Sequence, residues 1–226
     1  FFDFSGYSSD NLKNLVFLPR FFMLSTAMAQ TFIGREKEKA KLDKLMLSPQ
    51  AEFLALYGRR RVGKTFLIRP HLQDHIAFDF TGTKEGAKEQ QLLNFFGEYL
   101  RRAGTKEGVG APESWFQAFS YLADYLYELP PAKFKHVVFL DEMPWMDTPK
   151  SEFIPALEFF WNQHASRMDH MLLVACGSAS SWIRKNLIQA RGGLYNRITQ
   201  RIKLQPFTLY EAEKFIRNLG VQLTRY

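Results

Sequence analysis

The stretch GRRRVGKT at residues 58–65 decides the fold of this chain of 226 residues. The apolar run EFLALY at residues 52–57 precedes it and predicts a buried strand. A helix is expected to begin at Lys64, and Pro70 is expected to limit or kink it. The pattern G-x-x-x-x-G-K-[ST] between a strand and a helix is typical of a loop that holds phosphate groups.

Each position in this loop has a physical task in binding a nucleoside triphosphate. Glycines let the backbone turn so that its N–H groups face phosphate oxygens, and the following helix presents its positive end to the same anion. The lysine reaches the β- and γ-phosphates, and the threonine hydroxyl is a Mg²⁺ ligand. We therefore predict ATP and Mg²⁺ as ligands, held by Gly58, Arg59, Arg60, Arg61, Val62, Gly63, Lys64, Thr65 and Phe66.

A second motif, VVFLDE at residues 137–142, places two carboxylates after four apolar residues. Ligands meet open α/β sheets at the carboxyl ends of strands. Asp141 is therefore the predicted second Mg²⁺ ligand, and Glu142 is placed to orient or deprotonate an attacking water. The alternative is an exposed acidic pair that merely ends a strand.

The run CGSAS at residues 176–180 supplies a third candidate. Ser178 could hydrogen-bond the γ-phosphate or the attacking water, or it could simply cap the next helix. An arginine often stabilises γ-phosphate charge, from the same chain or from a neighbouring subunit. Arg197 is our candidate and Arg191 the second choice, with a surface arginine as the alternative. The predicted catalytic set is Glu142, Lys64, Ser178 and Arg197.

The rest of the chain alternates between apolar strands and amphipathic helices. Strands are predicted at 52–57, 75–81, 136–140, 171–176 and 199–204, and further helices at 31–49, 87–103, 113–129, 151–167 and 179–190. Thr208 should cap a last helix, with Glu211 as its capping-box partner. This alternation predicts an α/β fold with a parallel sheet covered on both faces.

Several of these segments together resemble the archaeal-type ATPases, AAA-related proteins close to the STAND signalling NTPases. The resemblance rests on FIGRE at 32–36, the loop at 57–65, LDE at 140–142, CGSAS at 176–180 and LYNR at 194–197. It covers residues 31 to 219. The family's usual tyrosine-glycine-arginine before the last strand is here Tyr195-Asn196-Arg197.

The resemblance implies a P-loop NTPase three-layer sandwich with a parallel five-stranded sheet in the order 5-1-4-3-2. It implies that Phe32, Ile33, Gly34 and Arg35 help to form the adenine pocket. In domain terms we expect an extension or weakly ordered tail at 1–28, with Met23 or Met28 as a natural start. The ATPase core should occupy 29–207, and 208–226 should begin a helical lid that is truncated here. Lid arginines and DNA-binding elements therefore cannot be transferred from the family.

The amino-acid composition limits the cellular compartments and the kinds of partner that we expect for this chain. One cysteine, Cys176, excludes a disulfide framework and a zinc cluster and fits a buried strand thiol in a reducing compartment. No apolar run reaches the roughly 18 residues of a membrane span, so we expect a cytoplasmic protein with no membrane partner. The 22 phenylalanines favour extra core aromatics, or else a surface for packing against something. The net charge of +7 is compatible with nucleic acid but does not select it.

Three functions remain open from the sequence. The first is an ATP-hydrolysing switch or motor core that works with other domains, by self-association or with protein partners. The second is a non-hydrolytic, ATP-dependent binding module, possibly acting on DNA. The third is a P-loop kinase, which usually lacks the Asp-Glu pair and carries an arginine-rich lid that we do not find in the sequence.

Overall fold

The computed structural model describes residues 34–105, 107–189, 192, 194–218 and 220. The predictions for Phe32, Ile33, Arg191 and the extension at 1–28 lie outside these residues. Five strands form the sheet: β1 (Glu52–Gly58), β2 (Ile76–Thr81), β3 (His136–Asp141), β4 (Met171–Gly177) and β5 (Gln200–Leu204). The α-helices are α1 (Glu36–Met46), α2 (Lys64–Leu72), α3 (Lys88–Ala103), α4 (Trp115–Glu128), α5 (Phe153–Gln163), α6 (Ser180–Ile183) and α7 (Leu209–Asn218).

The sheet is parallel throughout and has the strand order β2-β3-β4-β1-β5. Counted from the other edge, this is the predicted order 5-1-4-3-2, so the expected P-loop sandwich is confirmed. β4 lies between β1 and β3, and its Ala175 pairs with both Ala55 and Leu140. The strand that precedes the glycine-rich loop and the strand that ends in Asp141 are therefore separated by one strand.

Aromatic side chains fill the core on one face of the sheet. Phe95 of α3 contacts the rings of Phe78, Phe80, Trp115 and Phe119, at centroid distances of 4.8–5.8 Å. All five side chains are buried. Offset and edge-on aromatic pairs of this kind contribute about 0.5–1.5 kcal/mol each beyond their buried area. The high phenylalanine content thus serves the core to a large extent, as the first of our two interpretations holds.

The opposite face of the sheet is covered by aliphatic residues. α2 contacts β1, and its Leu67 and Ile68 are fully buried. The prediction that Pro70 limits or kinks this helix needs one refinement, since α2 runs through Pro70 and ends at Leu72. The missing proline N–H removes a single hydrogen bond so close to the helix end that the last turn still forms.

The segment after β4 departs from the predicted regular helix at 179–190. α6 comprises only Ser180–Ile183 and continues as a π-helical turn, Arg184–Ile188. Such turns are rare, and the wider winding turns side chains away from the positions that an α-helix would give them. Among the described residues, none of the helices combines the length and apolarity that crossing a bilayer requires.

Gly58 is required by the approach of β5. It pairs with Leu204, and a Cβ atom added at Gly58 would lie 2.3 Å from the Leu204 carbonyl oxygen. No real side chain tolerates such a distance, so the two strands would have to separate at this point. The first glycine of the loop therefore serves the sheet as well as the loop.

We expect Gly58→Ala to lower the free energy of unfolding by about 1–3 kcal/mol, as over-packing does elsewhere. Thermal unfolding followed by circular dichroism would measure it. Gly110→Ala is the matched control, because no heavy atom lies within 4 Å of the added methyl group there. Equal stability of the two variants would contradict the steric argument.

Candidate nucleotide-binding site

The candidate site lies where three neighbouring strands end. β1 ends at Gly58, β3 at Asp141 and β4 at Gly177. The loop from β1 to α2 contains two residues in the left-handed region, Arg61 with φ 63° and Gly63 with φ 88°. Gly63 is the N-cap of α2 and has no side chain to cap it. The first N–H groups of α2 therefore remain available to an anion, which the positive end of the helix favours.

Lys64 is fixed within this loop. Its side chain is buried, and Nζ donates hydrogen bonds to the carbonyl oxygens of Gly58 at 3.3 Å and Arg59 at 3.0 Å. An ammonium group has three donors, so one remains for a phosphate oxygen. The position of the charge is set by the loop backbone rather than by a carboxylate that would neutralise it.

Thr65 and Asp141 meet directly across the site. Thr65 Oγ1 donates a hydrogen bond to Asp141 Oδ2 at 2.6 Å, and Asp141 is only 3% exposed. Both predicted metal ligands are thus brought together, and both offer hard oxygen atoms of the kind that Mg²⁺ prefers. Within the described part of the chain, no group of three or more His, Cys, Asp or Glu residues could hold a metal ion. Two protein ligands fit Mg²⁺, which usually completes its shell with phosphate oxygens and water.

Cys176 lies beneath this pair in β4 and is fully buried, as the sequence predicts. Burial raises the pKa of its thiol well above the usual range, and the nearby Asp141 carboxylate adds to this effect. The thiol is therefore neutral at physiological pH and does not compete with Asp141 for a cation.

Glu142 has an unusual backbone conformation, with φ 48° and ψ 43°. A residue other than glycine in this region carries a strain of about 1–3 kcal/mol, and such residues cluster at functional sites. Glu142 Oε2 accepts hydrogen bonds from the Ser178 hydroxyl at 2.9 Å and from the Ser178 N–H at 3.3 Å. Ser178 does not cap the following helix, because Ala179 is the N-cap of α6 and makes no side-chain hydrogen bond. The serine at the end of β4 instead holds the carboxylate at the end of β3.

Gln91 supports the turn that contains Glu142, and our sequence analysis did not identify it. It is fully buried on α3, and its amide bonds both the N–H and the carbonyl of Thr83 and the carbonyl of Trp145. Trp145 N–H donates to the Glu142 carbonyl at 3.0 Å. Gln91 thus joins the loop after β2 to the turn that contains Glu142. The sequence contained one indication of this role: the amide residue Gln91 lies next to Leu92, on the apolar side of the helix.

Arg35 does not point into an open base-binding pocket. It is 3% exposed, and Nη2 donates to the carbonyl oxygens of Val62 at 3.1 Å and Gln205 at 2.6 Å. Its guanidinium carbon lies 4.4 Å from the centre of the Phe207 ring. The side chain predicted to contribute to an adenine pocket therefore joins the glycine-rich loop to the segment after β5.

The same corner anchors α7. The Arg35 N–H donates to Glu211 Oε1 at 3.4 Å, while Glu211 Oε2 accepts from the Thr208 N–H at 2.9 Å. Glu211 N–H donates in return to Thr208 Oγ1 at 3.2 Å, so the predicted capping box is confirmed. The Thr208 N–H is the largest cause that lowers the pKa of Glu211, and Arg35 adds to it. Gly34 also lies here, and a Cβ atom added to it would lie 3.4 Å from the Phe207 ring.

The remaining predicted site residues lie partly at the carboxyl ends of the strands and partly at their amino ends. Arg59, Arg60, Arg61 and Phe66 are exposed around the loop. Arg197 lies apart from the site, because it precedes β5 and the next residues, at Thr199, pair with Phe53 near the start of β1. Phe53 and Gly58 are five residues apart in a strand, or about 16 Å. Arg197 therefore lies near the amino ends of the strands, whereas the candidate site lies at their carboxyl ends, so the structure does not bring Arg197 to this site within one molecule.

Comparison with known proteins places these features in a family. A family model described as an ATPase domain predominantly from Archaea matches residues 32–226. An uncharacterized protein of Methanocaldococcus jannaschii is 24% identical over 186 residues, which are 81% of this chain and 38% of that protein. The structure of the Walker-type ATPase Paby2304 of Pyrococcus abyssi is similar with a TM-score of 0.60 and 20% identity, and the match covers 85% of this chain and 60% of that one. The chain thus spans less than two thirds of the length of either protein.

The contacts of Arg35 predict that it fastens α7 to the loop. In Arg35→Met the apolar stem remains but the hydrogen bonds to Val62 and Gln205 are lost. Because a hydrogen bond from a charged group contributes about 1.5–3 kcal/mol, we expect amide exchange in residues 209–218 to accelerate at least about tenfold. Hydrogen–deuterium exchange with mass spectrometry would measure this. Arg102→Met is the control, since it removes an arginine that pairs with Glu98 on α3, and unchanged exchange in both variants would contradict the role of Arg35.

Proposed function

We propose that this chain, which belongs to the family of ATPase domains found predominantly in Archaea, hydrolyses ATP with Mg²⁺ and acts as a conformational switch or motor core. The observation that carries the proposal is the contact of Thr65 with Asp141 at 2.6 Å, with Glu142 placed beside them by Ser178. Phosphate-binding, metal-binding and water-orienting groups thereby share one strand edge, as phosphoryl transfer requires.

Binding is assigned to the loop and the end of α2. The free N–H groups at Gly63 and the following residues would hold the phosphates, and Lys64 would direct its remaining N–H to them. Thr65 and Asp141 would hold Mg²⁺, which supplies positive charge that neutralises the phosphates. Arg59, Arg60 and Arg61 are exposed at the mouth of the loop, where some could meet the γ-phosphate.

Glu142 is the proposed catalytic carboxylate. Ser178 fixes its Oε2, so Oε1 can accept a hydrogen bond from the attacking water and orient it. The strained backbone of Glu142 keeps the carboxylate directed to this place. In this proposal Ser178 is a positioning residue, which differs from direct contact with the γ-phosphate.

The base of ATP would lie near the start of the matched region. The backbone of Phe32, Ile33, Gly34 and Arg35 is retained as the proposed adenine pocket, while the Arg35 side chain holds the loop. Because ATP is a cytosolic ligand, we place the protein in the cytoplasm. Arg197 enters the proposal only as a residue that a second copy of the chain would supply, since it lies near the amino ends of the strands in its own sheet.

A second function rests on the position of α7. Arg35 links the loop to this helix, and the chain spans only 38% of the M. jannaschii relative. A non-hydrolytic module could therefore bind ATP and pass the change through α7 to other domains or partners. Release of phosphate distinguishes the two functions.

We expect purified protein to release phosphate from radiolabelled ATP in the presence of Mg²⁺. Glu142→Gln should lower the rate at least about 100-fold, a usual contribution of a general base, while ATP binding is retained. Glu89→Gln is the matched control, because Glu89 is exposed in the first turn of α3. Wild-type protein that binds ATP but never releases phosphate would favour the non-hydrolytic module, and an equally fast Glu142→Gln would show that Glu142 is not the catalytic carboxylate.

Ser178→Ala tests the positioning of Glu142. Loss of a hydrogen bond to a charged group should lower kcat by about 10–100-fold while the Kd for ATP stays the same. Ser166→Ala is the control, since the exposed Ser166 hydroxyl bonds only the Asn162 carbonyl. A larger Kd with unchanged kcat would instead assign Ser178 to phosphate binding.

A further inference from the structure

The positive charge of the chain is concentrated in two segments. Residues 170–210 contain six lysines and arginines and no aspartate or glutamate, and residues 53–73 contain five and none. The net charge of the whole chain is only +7. The remaining residues therefore carry a net negative charge, and the chain is electrically asymmetric.

The sheet joins the two segments in space. β5 belongs to the first segment and β1 after Glu52 to the second, and they pair from Leu54 with Gln200 to Gly58 with Leu204. Among the described strands β5 is at the edge of the sheet, since β1 is its one neighbour there. The concentrated charge therefore lies along this edge of the sheet and continues from its carboxyl end into the loop with Arg59, Arg60 and Arg61.

Four cations form what we call the basic face: Arg184, Lys185, Arg201 and Lys203. Arg201 and Lys203 are exposed on β5, while Ile202 between them is buried. Alternate residues of a strand lie roughly 6.6 Å apart on the same side. Their register with Ala55 and Tyr57 places them on the side of the sheet where α6 contacts β1. Arg184 and Lys185 are exposed on the π-helical turn that continues α6.

Among the described residues, no carboxylate forms an ion pair with these four cations. Within the residues that the structure describes, ion pairs within 4.0 Å occur elsewhere, for example between Arg69 and Asp79 and between Arg101 and Glu98. None of them involves a member of the basic face. A carboxylate in an ion pair neutralises much of the charge of its cation. An exposed cation without such a partner keeps its attraction for an anionic ligand.

Two simpler explanations are weaker. Charged residues do protect edge strands from pairing with other chains, but that explanation concerns β5 and leaves Arg184 and Lys185 unexplained. Protein interfaces are depleted in charged residues at their centre and enriched in apolar ones. The basic face offers four cations, and the same acid-free segment carries two exposed tyrosines, Tyr195 and Tyr210, and the exposed Leu209. An aromatic side chain among cations suits stacking on a base.

We propose that the basic face binds the phosphate backbone of a nucleic acid. Exposed cations at alternate positions of one strand, with two more on the π-helical turn, match a polyanion, whose binding releases condensed counterions. This function goes beyond ATP hydrolysis and does not depend on it, since none of the four residues belongs to the proposed nucleotide site.

The test compares charge reversal on and away from the face. Fluorescence anisotropy would measure the affinity of the full chain for a labelled 30-nucleotide single strand and for the corresponding duplex across a salt series. Because each lost contact to single-stranded phosphate lowers the salt slope by about 0.7, Arg201→Glu with Lys203→Glu should make the slope shallower by about 1.4. Affinity at low salt should fall at least about tenfold.

The control is Lys133→Glu with Lys150→Glu, which changes the net charge equally at two exposed residues in the loops on either side of β3. It should bind nucleic acid nearly as wild type does. Circular dichroism should give both double variants the same spectrum as wild type, which shows that each is folded. Equal losses in the two variants, or none in Arg201→Glu with Lys203→Glu, would overturn the proposal. The proposal would also be overturned if the basic face mediates self-association instead. In that case analytical ultracentrifugation would show a dimer that charge reversal dissociates, while the affinity for nucleic acid stays constant.

Discussion

The hydrogen bond from Thr65 to Asp141 is the contact on which the candidate site depends. It joins the first turn of α2 to the end of β3, across the strand β4 that separates β1 from β3. Asp141 is buried and Thr65 is partly buried, and their oxygen atoms are 2.6 Å apart. Asp141 Oδ1 also accepts the Glu142 N–H, so the same carboxylate fixes the next residue. Asp141 therefore links Thr65 on one side and Glu142 on the other, and Ser178 holds the Glu142 side chain in addition.

A second group of contacts extends this arrangement toward the carboxyl end of the described chain. Arg35 bonds the Val62 carbonyl on one side and the Gln205 carbonyl on the other, and its own N–H reaches Glu211. None of the residues of α7 is buried, and the ring of its Phe215 contacts Phe207 at a centroid distance of 5.9 Å. A helix held by a few surface contacts is easier to displace than a helix packed into a core. Any shift of the loop backbone at Val62 would therefore act first on α7.

The sequence was sufficient to predict the fold and the residues that lie next to the loop. Strand–helix alternation and the glycine-rich loop predict a parallel sheet, and the order of the strands followed from the family resemblance. The structure brings Lys64, Thr65, Asp141, Glu142 and Ser178 together, because short motifs at strand ends meet at one edge of a parallel sheet. Contacts between distant loops were beyond the sequence. Arg35 reaching Gln205, and Gln91 reaching Trp145, depend on how separate segments pack, which no local pattern records. Arg197 shows the same limit, since its motif resembles the family but does not tell which end of the sheet it occupies.

The two proposed functions occupy adjoining parts of the molecule, and the sheet connects them. Lys203 of the basic face pairs with Tyr57, and the next residue, Leu204, pairs with Gly58 at the start of the loop. No side chain separates these strands at Gly58, because a Cβ atom there would meet the Leu204 carbonyl. A ligand that pulls on Lys203 would therefore act on the strand whose carbonyl lies directly against the loop, and Gln205, the residue after it, is bonded to Arg35. Close packing between β1 and β5 leaves little space in which such a displacement could be absorbed. A link between the basic face and the nucleotide loop would therefore run through the pairing of β5 with β1 and through the Arg35 side chain at Gln205.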